Sequence, residues 1–173
     1  MQNHFEFFNL PEQFAVDLQA LDKAYKEIQK LVHPDRFVTA SEAEKRTAMQ
    51  WAAMANDAYQ TLRDPVRRSS HLCELNGYDV QKETHVSMNP EFLMQQLEWR
   101  ESLQKARETK NRPLLEKLAE ELHRVHQRQT EIMENSLNRH EFENAVQETR
   151  EMMFLEKFGE EIGRAFDELD SGH

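Results

Sequence analysis

Apolar residues recur along this chain at steps of three and four rather than two, which predicts an all-α protein. Little interrupts the pattern. There are four Gly and five Pro, and Pro11, Pro34, Pro65, Pro90 and Pro113 each fall beside a break between periodic segments. A proline restricts the residue before it and cannot continue a helix interior, so these positions divide the chain into seven or eight helices. A short helix is predicted from Phe5 to Leu10, and a longer one runs from its N-cap Asp17 to Val32. At ~100° per residue, Leu18, Leu21, Tyr25, Ile28 and Val32 share one side of it, while Lys23, Lys26 and Lys30 form a narrow stripe roughly opposite. After a loop over residues 33–40, a helix from Glu42 to Leu62 presents Ala48, Ala52, Ala55, Tyr59 and Leu62, small enough for the most part to allow a closely packed antiparallel hairpin. A further short helix, Val66 to Leu75, stops at Asn76-Gly77.

Residues 77–88 read as a linker, which leaves residues 1–76 as a first domain and 89–171 as a second. The second opens on Asn89-Pro90, an N-cap and first-turn proline, with a helix to about Lys110. Past Pro113, Leu115, Leu118, Leu122, Val125, Gln129 and Ile132 alternate in steps of three and four, as in a coiled-coil seam. Asn138 with Glu141 offers a capping box for a last helix to about Leu169. Three long helices with short connections predict an antiparallel bundle.

Composition narrows the function. The 173 residues carry 32 acids against 22 bases, a net charge of −10, which disfavours a nucleic-acid backbone as partner. The imbalance lies in the second half: residues 1–78 hold 9 bases and 11 acids, residues 79–173 hold 13 and 21. Cys73 is the lone cysteine, which excludes an intramolecular disulfide and suits a reducing compartment; in an apolar helix segment it reads as a core residue. The start of the chain has neither a signal-peptide core nor a transit-peptide character, and no apolar run approaches the ~18 residues of a membrane span, so a cytoplasmic protein without a membrane partner is expected.

The loop of the first hairpin holds His33-Pro34-Asp35. Pro34 keeps His33 out of the α region, ends the helix, and displays imidazole, ring and carboxylate beside the lysine stripe. Taken alone the tripeptide reads more readily as an ordinary turn and the lysines as a solvated face. Its surroundings add more: Leu31-Val32-His33-Pro34-Asp35-Arg36-Phe37, then Ala55-Asn56-Asp57-Ala58-Tyr59-Gln60-Thr61-Leu62-Arg63-Asp64-Pro65, then Arg68, resembles the J-domain of DnaJ-type co-chaperones. The resemblance implies four helices around an exposed loop that docks on a DnaK-like chaperone ATPase and speeds its ATP hydrolysis. It assigns that contact to His33, Pro34, Asp35, Lys23, Lys26, Lys30 and Arg36, the last standing where lysine is common.

In the second domain, Phe92, Trp99, Leu103 and Ala106 make a core stripe, but Leu93, Met94 and Leu97 lie a quarter turn or more away, in a local apolar group rimmed by Arg100, Glu101, Gln104 and Lys105. Such a group suggests a binding surface. In the last helix the apolar stripe changes phase across Met152 to Leu155, either through a wider buried arc or kink or so as to leave one residue, Phe154, exposed. Phe92 to Glu101, together with Phe154-Leu155-Glu156-Lys157, resembles the C-terminal domain of the J-type co-chaperones of iron-sulfur cluster assembly, a likeness that covers nearly the whole chain. It implies an HscA-type chaperone ATPase and an IscU-type iron-sulfur scaffold as partners, with Leu93, Met94, Leu97, Glu98, Glu101 and Phe154 contacting the scaffold. Trp99 replaces a smaller apolar residue there, which implies a different edge to the patch.

On this reading the protein is an adaptor, with no catalytic residues, metal or cofactor of its own. The alternatives are a general J-domain co-chaperone for another client and, more remotely, a carboxylate-bridged metal enzyme. For the latter, Glu120-Glu121-Leu122-His123 supplies one Glu-x-x-His pair where such a bundle site uses two. His123 and His126 read as solvated, and Gly159 and Gly163 form a GxxxG too Glu-rich for a membrane.

Overall fold

The computed structural model of the chain describes residues 2–81 and 88–172. The chain divides into two compact units, the first ending at Tyr78 and the second beginning at Asp79. In the first unit the helices are α1 (His4–Phe7), α2 (Leu18–Leu31), α3 (Glu42–Arg63) and α4 (Pro65–Leu75), with a 3-10 turn at Pro34–Phe37 between α2 and α3. The second unit holds α5 (Pro90–Glu108), α6 (Arg112–Asn138) and α7 (Phe142–Ser171). Neither unit has a strand among the described residues.

Helix starts follow the side chains available to cap them. The Asp17 carboxylate accepts from the N–H groups of Gln19 and Ala20, Ser41 from Glu44, Asp64 from Val66 and Arg67, and Asn89 from Glu91. Four of the stops, those of α1, α4, α5 and α6, share one device. Asn9, Gly77, Lys110 and His140 all have positive φ, and the N–H of the following residue reaches back five positions, as from Tyr78 to the Cys73 carbonyl and from Glu141 to that of Ser136. Gly77 adopts this geometry without strain; Lys110 and His140 carry a Cβ into it. This overturns the expected capping box. Asn138 is the last residue of α6, His140 makes the reversal, and Glu141 precedes α7 without a side-chain cap bond. The first helix is likewise shorter than predicted, because Asn9 closes it.

In the first unit α3 is central and touches α1, α2 and α4. Phe5, Phe8, Phe14, Leu21, Leu62 and Leu72 are buried around it, with Cys73 wholly enclosed. The buried face of α3 runs through Ala48, Ala55, Ala58 and Leu62, while Ala52 is exposed, contrary to expectation. Facing three neighbours instead of one rotates the buried arc toward Ala58. Leu18, expected in the core stripe of α2, is 51% exposed in the first turn. The remaining contact between α2 and α3 is an aromatic clasp: Tyr25 and Tyr59 stack at 4.2 Å, and their hydroxyls donate to Asn56 and Asp22 across the pair. Arg68 is buried, donates to the Leu62 carbonyl and lies 4.6 Å over the Phe14 ring, so it ties α4 to the segment before α2.

In the second unit α6 packs along α7, and α5 packs against the pair. The seam on α6 begins as predicted with Leu115 and Leu118 but ends on Met133, wholly buried, instead of Ile132, 40% exposed. Met133 lies 18 residues past Leu115, which at 3.6 residues per turn is five full turns, so in a straight helix Met133 and not Ile132 returns to the side of Leu115. On α7 the phase change is a gradual winding: Thr149, Met152, Leu155 and Phe158 are buried at successive steps of three, carrying the face from α6 toward α5, where Trp99 stacks on Phe158 at 5.5 Å. Gly159 gives α6 room, since a Cβ there would lie 3.3 Å from Leu122. Part of the predicted linker belongs to this unit: Val80 is buried and its carbonyl accepts from the Arg150 guanidinium. Residues 82–87 of that linker lie outside the described residues.

Each unit encloses titratable groups, of opposite type. In the first, His71 is buried, stacks on His4 and accepts the His4 backbone N–H; burial pushes its pKa down to about 4, and His4 is lowered by the same cause despite Asp57. In the second, burial pushes Glu148 up to about 7 even though Ser136 donates to it, and Glu151 is raised as well. A depressed imidazole stabilises the fold fully above its unfolded value of 6.5 and less as pH falls toward 4. A raised carboxyl acts the other way, with stability falling as pH rises from 4.5 to about 7. Amide exchange is therefore expected to show α1 and α4 loosening below pH 6.5 while α6 and α7 tighten. Glu148→Gln is expected to remove most of the second trend and to raise the melting temperature at pH 8 by roughly 2–4 °C.

Candidate functional site

Two exposed sites result, one in each unit. In the first, the α2 backbone ends at Val32 and His33 turns extended, with φ −60° and ψ 136°, the conformation that Pro34 demands of its predecessor. His33 then caps the 3-10 turn: its Nδ1 accepts the Asp35 backbone N–H at 3.2 Å, and its carbonyl accepts from Arg36. An Nδ1 used as acceptor puts the proton of the neutral ring on Nε2, which leaves a donor facing outward. The Asp35 carboxylate approaches the same Nδ1 at 3.7 Å, which is not an ion pair while that nitrogen accepts. The Asp35 side chain is 89% exposed and that of His33 60%. Pro34, Arg36, Lys23, Lys26 and Lys30 are exposed as well, so every residue assigned to this loop and stripe is accessible.

The second site lies on α5 and α7. Leu93, Met94, Leu97 and Phe154 are between 44% and 58% exposed, with Glu98 and Glu101 exposed beside them. Phe92, half-buried, meets Phe154 edge to face at 6.5 Å and so links the patch to the core. Trp99 does not form an edge of this patch as its size suggested. At 5% exposure it faces inward, and Phe158 accommodates the larger ring by stacking. His126 stands 3.8 Å from Glu156, and among the described residues no three His, Cys, Asp or Glu side chains come together as metal ligands. No helix among them is long and apolar enough to cross a membrane.

Comparisons with known proteins cover almost the full chain. The chain is 45% identical to the co-chaperone protein HscB homolog of Burkholderia thailandensis over 168 residues, 97% of this chain and 96% of that protein. It is 44% identical to the homolog of Paraburkholderia xenovorans, over 98% of this chain and 97% of the other. The chain belongs to the HscB co-chaperone family. A family model described as the HSCB C-terminal oligomerisation domain matches residues 88–163. Among solved structures, HscB from Vibrio cholerae superposes with a TM-score of 0.84 at 35% identity, covering 97% of this chain and 99% of that one. Human HscB gives 0.87 at 26% identity, covering 94% and 81%. The HscB fold, a J-domain followed by a C-terminal helical domain, is the architecture of this chain.

Tyr25 and Tyr59 are legible in the sequence as residues of packed helix faces, but the clasp they form depends on register between α2 and α3, which no local pattern encodes. Phe37, which the J-domain resemblance includes without a role, lies against the hairpin tip. Exposure separates the surface leucines from the core ones. Leu97→Ala is expected to change unfolding free energy by less than about 0.5 kcal/mol, whereas Leu103→Ala, at a site 4% exposed, is expected to cost about 2–5 kcal/mol in urea denaturation.

Proposed function

We propose that this HscB-family co-chaperone is a two-ended adaptor without chemistry of its own: residues 1–76 dock on and activate an HscA-type DnaK-like ATPase, residues 77–88 connect, and residues 89–171 carry an IscU-type iron-sulfur scaffold to it. The observation that supports this most is the outward-held His33-Pro34-Asp35 turn at the end of the helix bearing Lys23, Lys26 and Lys30. Its donor, acceptor and adjacent cations suit a partner with an acidic groove and an arginine for Asp35, and such charges act chiefly on the rate of encounter. The patch of Leu93, Met94, Leu97 and Phe154, rimmed by Glu98 and Glu101, has the apolar centre and charged edge of a protein interface. The family description favours a second reading, self-association through the same domain.

His33→Gln is expected to abolish stimulation of HscA-type ATP hydrolysis while circular dichroism and scaffold affinity stay as they were; full stimulation by the variant would reject the assignment. Leu93→Ala and Leu97→Ala are each expected to cost about 1–3 kcal/mol in scaffold affinity by calorimetry. A change in sedimentation coefficient in place of lost affinity would favour self-association.

A further inference from the structure

In the second unit a groove of about 530 Å³ runs between α5 and α7. Arg100, Gln104 and Arg107 line it from α5, Glu161 and Arg164 from α7, and the buried Leu103 forms its floor. Three guanidinium groups thus surround one carboxylate, in a half of the chain where acids outnumber bases by 21 to 13. That carboxylate is thinly shared. Arg100 stands 3.5 Å from Glu161, while Arg107 donates to the Glu161 backbone carbonyl at 3.3 Å and lies 3.5 Å from Glu168. Arg164 is exposed and, among the described residues, has no hydrogen-bond or ion-pair partner. Like charges gathered on one surface repel until a counter-charge arrives.

We propose that this groove takes an acidic segment of the same scaffold that covers the apolar patch, so that the client surface continues past its leucines onto Arg107 and Arg164. The inference rests on the client-binding reading given above. Placement identifies the occupant. At ~100° per residue, Leu93, Leu97, Arg100, Gln104 and Arg107 fall within ~80° of one another on α5, one stripe that begins apolar and ends in guanidinium groups. Alongside it α7 advances in step: Phe92 meets Phe154, Arg100 meets Glu161 and Arg107 meets Glu168. Patch and groove are therefore one continuous surface, and a protein seated on Leu97 reaches Arg100 one turn further on. Chemistry sets what it brings there. An arginine fork pairs with a carboxylate through two parallel bonds, so an incoming carboxylate offers closer contacts than the 3.5 Å approach to Glu161. From Arg100 to Arg107 is ~10 Å along the helix, which an extended segment spans with carboxylates about three residues apart. A lone phosphate or carboxylate ion cannot bridge that distance. Glu98 and Glu101, exposed beside the patch, set the direction, because a segment laid the other way round would bring its acids against them.

The test titrates a purified IscU-type scaffold into the full-length wild type and into Arg164→Glu, Arg164→Lys, Arg107→Gln and Leu97→Ala by calorimetry, at about 50 and 300 mM salt. Arg164 is exposed, so both of its variants are expected to melt as the wild type does. At the lower salt, Arg164→Glu is expected to raise Kd about ten-fold and Arg107→Gln about three-fold, and both should flatten the salt dependence of binding. Arg164→Lys, which keeps the charge, should stay within about two-fold of the wild type. Leu97→Ala should weaken binding and leave the salt dependence as it was. Wild-type affinity and salt dependence in both Arg164→Glu and Arg107→Gln would overturn the groove assignment while leaving the client reading intact. Sedimentation of the chain alone that shows a salt-sensitive dimer abolished by Arg164→Glu would overturn the scaffold as occupant in favour of a second copy. Absence of scaffold binding by the wild type would overturn the client reading, and the groove assignment with it.

Discussion

A five-membered ring on one backbone nitrogen organises the first unit. Pro34 forces His33 out of the helical region, and the chain must reverse within the residues between α2 and α3 for the two helices to pack antiparallel. The reversal exposes three consecutive residues and orients them: the imidazole folds back onto the Asp35 N–H, which fixes its tautomer and leaves the carboxylate outside. Were residue 34 free to stay helical, α2 could continue and the display would be lost. Everything proposed for this end of the molecule depends on that break.

The second unit solves a different problem, that of presenting apolar side chains without collapsing onto them. Core and patch share α5 because they occupy different faces of it. Trp99, Leu103 and Ala106 face the α6/α7 pair, and Leu93, Met94 and Leu97 are left outside. Phe154 is exposed for a related reason: as the buried face of α7 winds from α6 toward α5 through Met152, Leu155 and Phe158, the residue before Leu155 falls off it. The patch is therefore carried on helices whose stability comes from other side chains, which frees its composition from the demands of the fold.

The polar interior follows the same division. Buried imidazoles in one unit and a buried carboxyl in the other make acidification loosen the first and firm the second. Near pH 7 His71 holds the neutral form that burial favours, while Glu148, pushed up to about 7, is midway through its titration.

Much of this was legible in the residues themselves. Prolines and short polar side chains act on the backbone within a few positions, so the helix starts at Asp17, Asn89 and the break at Pro34 could be read directly, as could the outward group on α5, which needs only a helical projection. What the sequence could not determine were outcomes of packing. Ala52 is exposed and Ala58 buried because α3 has three neighbours; Leu18 is exposed at the very start of α2; Met133 displaces Ile132 because a small angular drift accumulates along a long helix; Lys110 and His140 make stops that glycine would signal, because the reversal fixes their backbone whatever the side chain. The open groove lined by Ile28, Leu31, Phe37, Ala43 and Trp51 is of this kind too. Its walls come from two helices and a loop, and its existence depends on their separation, a distance that no local preference encodes.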